Sequence, residues 1–250
     1  MGFAIQDTDL ATANTADPMT LTMDVAAGDL IVVGSGNPTD TGFTLSGVTD
    51  EDDNTYTLTT TRAAGSQVLC RMAYAIAAKT NSTLTITFAF DAGTFRKNVY
   101  AAVFRPDAGD TVAYDTEAYK QSGYEASPNE TAAFSTTGND EVCIAIFQGG
   151  AATFSNQEIP SGSAATVVGS QVYSTFFYTF FTSTQSSIIA ETDASTSQYY
   201  VCQLLAFKAE VSNVSIDVPA DLQAGYGQLP ALEVIEGGHW IEHKAMTLIF

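Results

Sequence analysis

Positive charge is what this chain has least of: nine Lys and Arg stand against 28 Asp and Glu, a formal charge of −19. A nucleic-acid binder displaces counterions from phosphate with its own cations, and an anionic membrane surface attracts those same cations. Neither partner is expected. No Lys or Arg precedes Arg62, and none lies between Lys120 and Lys208. That asymmetry reads as a solvated acidic surface that resists aggregation, the alternative being an acidic face for a basic partner. Histidine is nearly absent too, with two residues, so most acid–base schemes have no centre. No P-loop, dinucleotide fingerprint, nucleophile elbow or Ser-His-Asp set is present, so no enzyme, catalytic residue or cofactor is expected. Three cysteines, Cys70, Cys143 and Cys202, sit in apolar strand-like runs and read as buried free thiols. No apolar run is long enough to span a bilayer. The opening "MGFAIQDTDLATANTADP" has neither a basic nor an apolar leader region, so secretion is not expected. Gln6 breaks the myristoylation pattern.

What the chain has is a period of two. In "MTLTMDV", Met19, Leu21, Met23 and Val25 alternate with polar residues, and "TLTITFAF" repeats this with Leu84, Ile86, Phe88 and Phe90. "VLCRMAYAI" groups Val68, Cys70, Met72, Tyr74 and Ile76, with Arg71 facing away. Such alternation marks half-buried antiparallel strands. "NVYAAVF" (98–104) and "VCIAIF" (142–147) are apolar on both sides and read as central strands. Turn chemistry interrupts these runs at 26–29, 50–54, 63–66, 79–82 and 107–110. The pattern predicts an all-β fold, an antiparallel β-sandwich or jelly roll over residues 1–210. A Pro- and Gly-marked, strand-rich C-terminal extension follows over 211–250. "GDLIVVGSG" and Phe43 are echoed about 111 residues later by "NDEVCIAIFQGG" and Phe154, which suggests two similar halves of one sandwich.

Four stretches could carry chemistry. "GGHWIEHKAM" spells an inverted zincin motif with His239, Glu242 and His243. The Gly-Gly pair opposes a helix, a strand would turn Glu242 away from both histidines, and no third ligand follows. No metal site is expected there; Trp240 and Ile241 read instead as contacts to a partner. "TDEDDNT" spaces Asp50, Asp52 and Asn54 like the start of a calcium loop but lacks its glycine and bidentate glutamate. An acidic hairpin turn is the reading, with weak calcium binding as the alternative. The long polar stretch 110–130 sets Tyr114, Tyr119 and Tyr124 near Asp115, Glu117 and Glu125, the chemistry of a glycan-contacting surface. Paired acids also suit a glycosidase. Finally, "VYSTFFYTFFTS" puts Phe176, Tyr178 and Phe180 on one face, for either a core strand or a subunit contact.

The texture "VAAGDLIVVGSGN…FTLSGVTDEDDNTYTLTTTRAAGSQVLCRMAYAIAAKTNSTLTITF" resembles a β-sandwich type found among bacteriophage virion proteins of the capsid decoration and fibre type. The likeness covers residues 19–90, is fainter through 204–207, and does not reach 211–250. It implies a non-enzymatic particle component, located in the virion, made in the host cytoplasm and bound to the major capsid protein or other virion proteins. It would assemble as a small homo-oligomer such as a trimer. The strand-rich tail would reach a neighbour's sheet edge. A glycan- or receptor-binding module of a tail fibre or adhesin is the alternative.

Overall fold

Alternating Thr, Val and Phe, cut by Gly, Asp and Asn, yields strands and no helix among the described residues. The computed structural model describes residues 2–13, 18–38, 44–65, 68–91, 96–150, 153–160 and 162–211. In the first half lie β1 (Phe3–Ala13), β2 (Met19–Val25), β3 (Leu30–Asn37), β4 (Leu45–Asp50), β5 (Thr57–Leu58), β6 (Arg62–Ala64), β7 (Val68–Ile76), β8 (Asn81–Phe90) and β9 (Lys97–Pro106). The second half carries β10 (Asp110–Glu125), β11 (Asn129–Glu130), β12 (Glu141–Gly149), β13 (Phe154–Glu158), β14 (Thr166–Gln171), β15 (Ser174–Phe181), β16 (Glu191–Ala194) and β17 (Gln198–Val211).

The pairing is antiparallel throughout and is written twice. The first half forms one sheet in the order β1-β9-β3-β7-β5, with β6 also on β7, and a second in the order β2-β8-β4. The second half repeats this as β10-β17-β12-β15-β14 and β11-β16-β13. In each half the first strand pairs with the last, the second with the next to last, and so inward. That is the wrap of a jelly roll. The starts of β3 and β12, residues 30 and 141, are 111 apart and hold the same place in their sheets. The echo in the sequence is therefore a repeat of topology. It was expected to give two halves of one sandwich; each half instead makes a two-sheet sandwich of its own.

The reason lies in the strands that are apolar on both faces. β3 and β12 are buried along their whole length, and so is most of β9. One face of the first inner sheet covers the outer strands through Ile31, Val33, Ala101 and Val103 against Leu21, Met23, Ile86 and Phe88. Its other face, with Leu30, Val32, Met72, Tyr100 and Phe104, meets Val142, Ile144, Ile146, Phe176 and Leu205 of the second inner sheet. That sheet in turn covers its own outer layer through Phe147, Phe177, Tyr200 and Leu204, packed against Phe134, Phe154 and Ile188. Sheets thus stack outer, inner, inner, outer around three apolar layers. The "VLCRMAYAI" alternation was expected to be half-buried, yet Leu69, Ala73 and Ala75 are buried as well, because β7 lies in an inner sheet. Arg71 stays on the opposite side and donates to the carbonyls of Thr59 and Leu45.

Carboxylates hold the turns and corners. Asp7 and Asp9 on β1 accept the backbone N–H groups of Asp24 and Thr22, joining the edge of an inner sheet to β2 of the outer one. Asp29 is buried, accepts the Ala26 N–H at 2.7 Å and takes the Arg105 guanidinium on both oxygens at 2.8 and 2.9 Å. Gly28 and Gly109 adopt φ of 92° and 93° in two of the expected turns, a conformation that favours glycine.

Facing the second inner sheet, β3 carries glycine at two positions, Gly34 and Gly36. A side chain at Gly34 would start 3.0 Å from both Ile146 Cδ1 and Phe176 Cε2. Gly34→Val is expected to cost about 1–3 kcal/mol by overpacking, read as a lower urea midpoint. An unchanged midpoint would contradict this close approach.

Candidate functional site

The polar stretch that carries the three tyrosines is itself a strand, the 16-residue β10 at the rim of the second inner sheet. Five-residue spacing would normally put successive side chains on opposite faces of a strand. Two bulges correct the phase, one between Tyr114 and Thr116 and one between Gln121 and Tyr124. Tyr114, Tyr119 and Tyr124 consequently pair with Phe207, Gln203 and Tyr199 of β17, which share one face. At four residues of β17 per step, the tyrosines are roughly 13 Å apart. Gly123, at the second bulge, is the sequence signal for the break in alternation.

Each ring is backed by a partner from below. Tyr114 stacks on Tyr74 of β7 with centroids 5.7 Å apart and 10° between planes, and meets Phe207 edge-on at 5.8 Å. The guanidinium of Arg62 lies 3.4 Å from the Tyr119 centroid, and its Nη2 also donates to Glu117 at 2.9 Å. Tyr124 meets Tyr199 edge-on at 5.7 Å. The outward sides remain in solvent: exposure is 43% for Tyr114 and Tyr119 and 69% for Tyr124. Partial burial, with Glu117 next to it, pushes the Tyr114 hydroxyl up to about 12, so it stays a hydrogen-bond donor at neutral pH. Beside Tyr74 opens a cleft of about 330 Å³ bounded by Asp53, Asn54, Thr57 and Ile76. The backing residues Arg62, Tyr74 and Tyr199 were not expected from sequence, because they come from strands far away in the chain.

The acids near the tyrosines go to separate partners. Glu117 bridges to Arg62, Glu125 to Lys120 at 3.2 Å, and Asp115 accepts the Thr137 N–H at 2.9 Å. Lys120 also lies over the Tyr200 ring at 5.6 Å, and these neighbours raise its affinity for its proton. Phe176 and Tyr178 lie inside the middle apolar layer, stacked on Tyr100 and edge-on to Phe104 respectively, so their faces are covered within the chain. Phe180 packs at the margin of that layer, edge-on to Phe104 at 6.1 Å. Trp240, Ile241, His239, Glu242 and His243 lie outside the described residues. Asp50 is engaged as a turn acceptor, taking the N–H groups of Asp52 and Asn54, the Asn54 amide and the Tyr56 hydroxyl. Lys79 and Asn81 attend Asp52. No group of three or more metal-ligating side chains occurs among the described residues. The three cysteines are buried and free, and burial pushes all three thiols up. Compared with known proteins, the chain matches no family model, no curated protein and no solved structure.

One buried carboxyl, Glu141, titrates unusually. Glu141 starts β12, is 1% exposed, and receives the Gly138 N–H at 2.6 Å. Burial, opposed by its hydrogen bonds and reinforced by neighbouring Asp115, raises its affinity for a proton. Lys208 stands opposite it in the β12–β17 register but is paired with Glu210 at 2.9 Å. A carboxyl whose folded pKa exceeds its unfolded one stabilises fully at low pH, and that contribution is lost as pH rises through the folded pKa. Glu141→Gln keeps the Gly138 acceptor and offers Asp115 a permanent donor. The variant is expected to match or exceed wild-type stability at pH 7, with the advantage shrinking toward pH 4; urea midpoints across this range measure it. A variant markedly less stable at pH 7 would show that the ionised carboxylate is what the fold needs.

Proposed function

We propose that this chain is a non-enzymatic structural component of a bacteriophage particle, a decoration protein that binds the outside of the shell and stabilises it. Its partners are then the major capsid protein or other virion proteins, and copies of itself in a small homo-oligomer. The observation that carries this reading is the tandem jelly roll whose two inner sheets are covered by each other. Jelly rolls recur in viral capsid and lectin domains, and the resemblance of residues 19–90 to phage virion sandwiches selects the first of these classes. A four-layer body with filled interfaces suits a brace between shell subunits, because close-packed interiors transmit load without yielding. The acidic surface and the carboxylates engaged at turns support a load-bearing role over turnover of a substrate.

The test is whether the chain belongs to particles at all, and in what number. Intact particles purified by density are expected to hold it at a fixed, high copy number relative to the major shell protein. Shells stripped of it are expected to open at lower temperature and to recover on adding back the purified protein. Particles that lack the chain, or stripped shells as heat-resistant as complete ones, would overturn the proposal.

A further inference from the structure

The rim of β10 is an edge strand, and an edge can serve either another backbone or a ligand held by side chains. Two bulges and the charged residues Asp115, Glu117, Lys120 and Glu125 interrupt it, which are the devices that discourage strand addition. Those same bulges bring Tyr114, Tyr119 and Tyr124 onto one face in a regular row. Backing by Tyr74, Arg62 and Tyr199 sets each ring before any ligand arrives. Ordering them on binding therefore costs little.

We infer that this row is a binding groove for a neutral oligosaccharide chain. A pyranose presents an apolar C–H face, which packs on an exposed ring, and a rim of hydroxyls, which need donors and acceptors beside that ring. Glu117 pairs with Leu205 on the same face, lies between the first two tyrosines, is partly exposed and can accept hydroxyl protons; Glu125 turns to the other face, toward Lys120 and Tyr200. The Tyr114 hydroxyl can donate. Rings roughly 13 Å apart suit an extended chain that crosses all three, and a monosaccharide would reach only one. A chain of charge −19 with carboxylates along this rim repels sulfated, phosphorylated and sialylated polymers, which selects a neutral ligand. The site does not depend on the particle assignment, since it is read from the isolated chain.

The experiment uses the purified full chain and panels of neutral glucans, galactans, mannans and N-acetylglucosamine polymers, with their disaccharides and acidic counterparts. Calorimetry is expected to show binding of at least one neutral long chain, much weaker binding of its disaccharide, and none of the acidic polymers. Tyr124→Ala, which removes the most exposed ring, and Tyr119→Ala are each expected to lower affinity about tenfold. Unchanged near-ultraviolet circular dichroism establishes that the variants are folded. Tyr119→Phe, which keeps the ring, should retain most of the affinity. Failure of the wild type to bind any neutral chain overturns the inference, as does binding of acidic polymers alone or wild-type affinity in both alanine variants. Self-association or peptide capture that is lost in Tyr124→Ala, without sugar binding, would assign the row to a protein partner and overturn it equally.

Discussion

The arrangement rests on one apolar layer, the one shared by the two inner sheets. A strand that is hydrophobic on both faces cannot lie in a sheet with one wet side, and β3, β9, β12 and much of β17 are of that kind. Each half covers one face of its inner sheet with its own three-stranded outer sheet. The remaining face can be covered only by the other half. Polar contacts then fix how the halves meet. Ser174 Oγ lies 2.6 Å from both the Tyr100 hydroxyl and Asn98 Nδ2, the Thr59 hydroxyl is 2.9 Å from Gln203 Oε1, and Arg62 reaches Glu117. Buried hydrogen bonds of this sort add specificity because the alternative, an unpaired polar group in the core, is costly.

The acidity has a structural use that composition alone does not reveal. Where many proteins pair Asp with Lys, this one pairs it with backbone N–H groups: Asp7, Asp9, Asp29, Asp50, Asp115 and Asp140 all accept from the main chain. Charge-assisted bonds to amides satisfy corners and turns that no ladder reaches. A chain with nine cations can therefore keep its corners closed and still carry a strongly negative surface.

How much could be read in advance follows the physics of each signal. Strand period and turn chemistry are local, so the alternation of β2 and β8 and the turn at Gly28 are visible in the letters themselves. The paired halves left a trace in "GDLIVVGSG" and "NDEVCIAIFQGG", but who covers whom is a long-range fact that no local pattern encodes. The aromatic run around Phe176 favoured a core strand and left a subunit contact as the alternative, since both require an apolar face; only the partner sheet decides. The tyrosine row was visible as residue types near acids, yet its strand was hidden because the bulges break the alternation that identifies strands. The side chains that back it, Arg62, Tyr74 and Tyr199, arrive from β6, β7 and β17 through tertiary packing alone.

If the shared middle layer holds both jelly rolls in one cooperative unit, neither half can open while the other stays closed. Native-state hydrogen exchange under rising denaturant measures this directly. The slowest amides of β3 and β9 and those of β12 and β17 are expected to converge on a single opening free energy and a single denaturant slope. Two separate values, with all amides of one half exchanging through an opening that leaves the other half protected, would contradict the account.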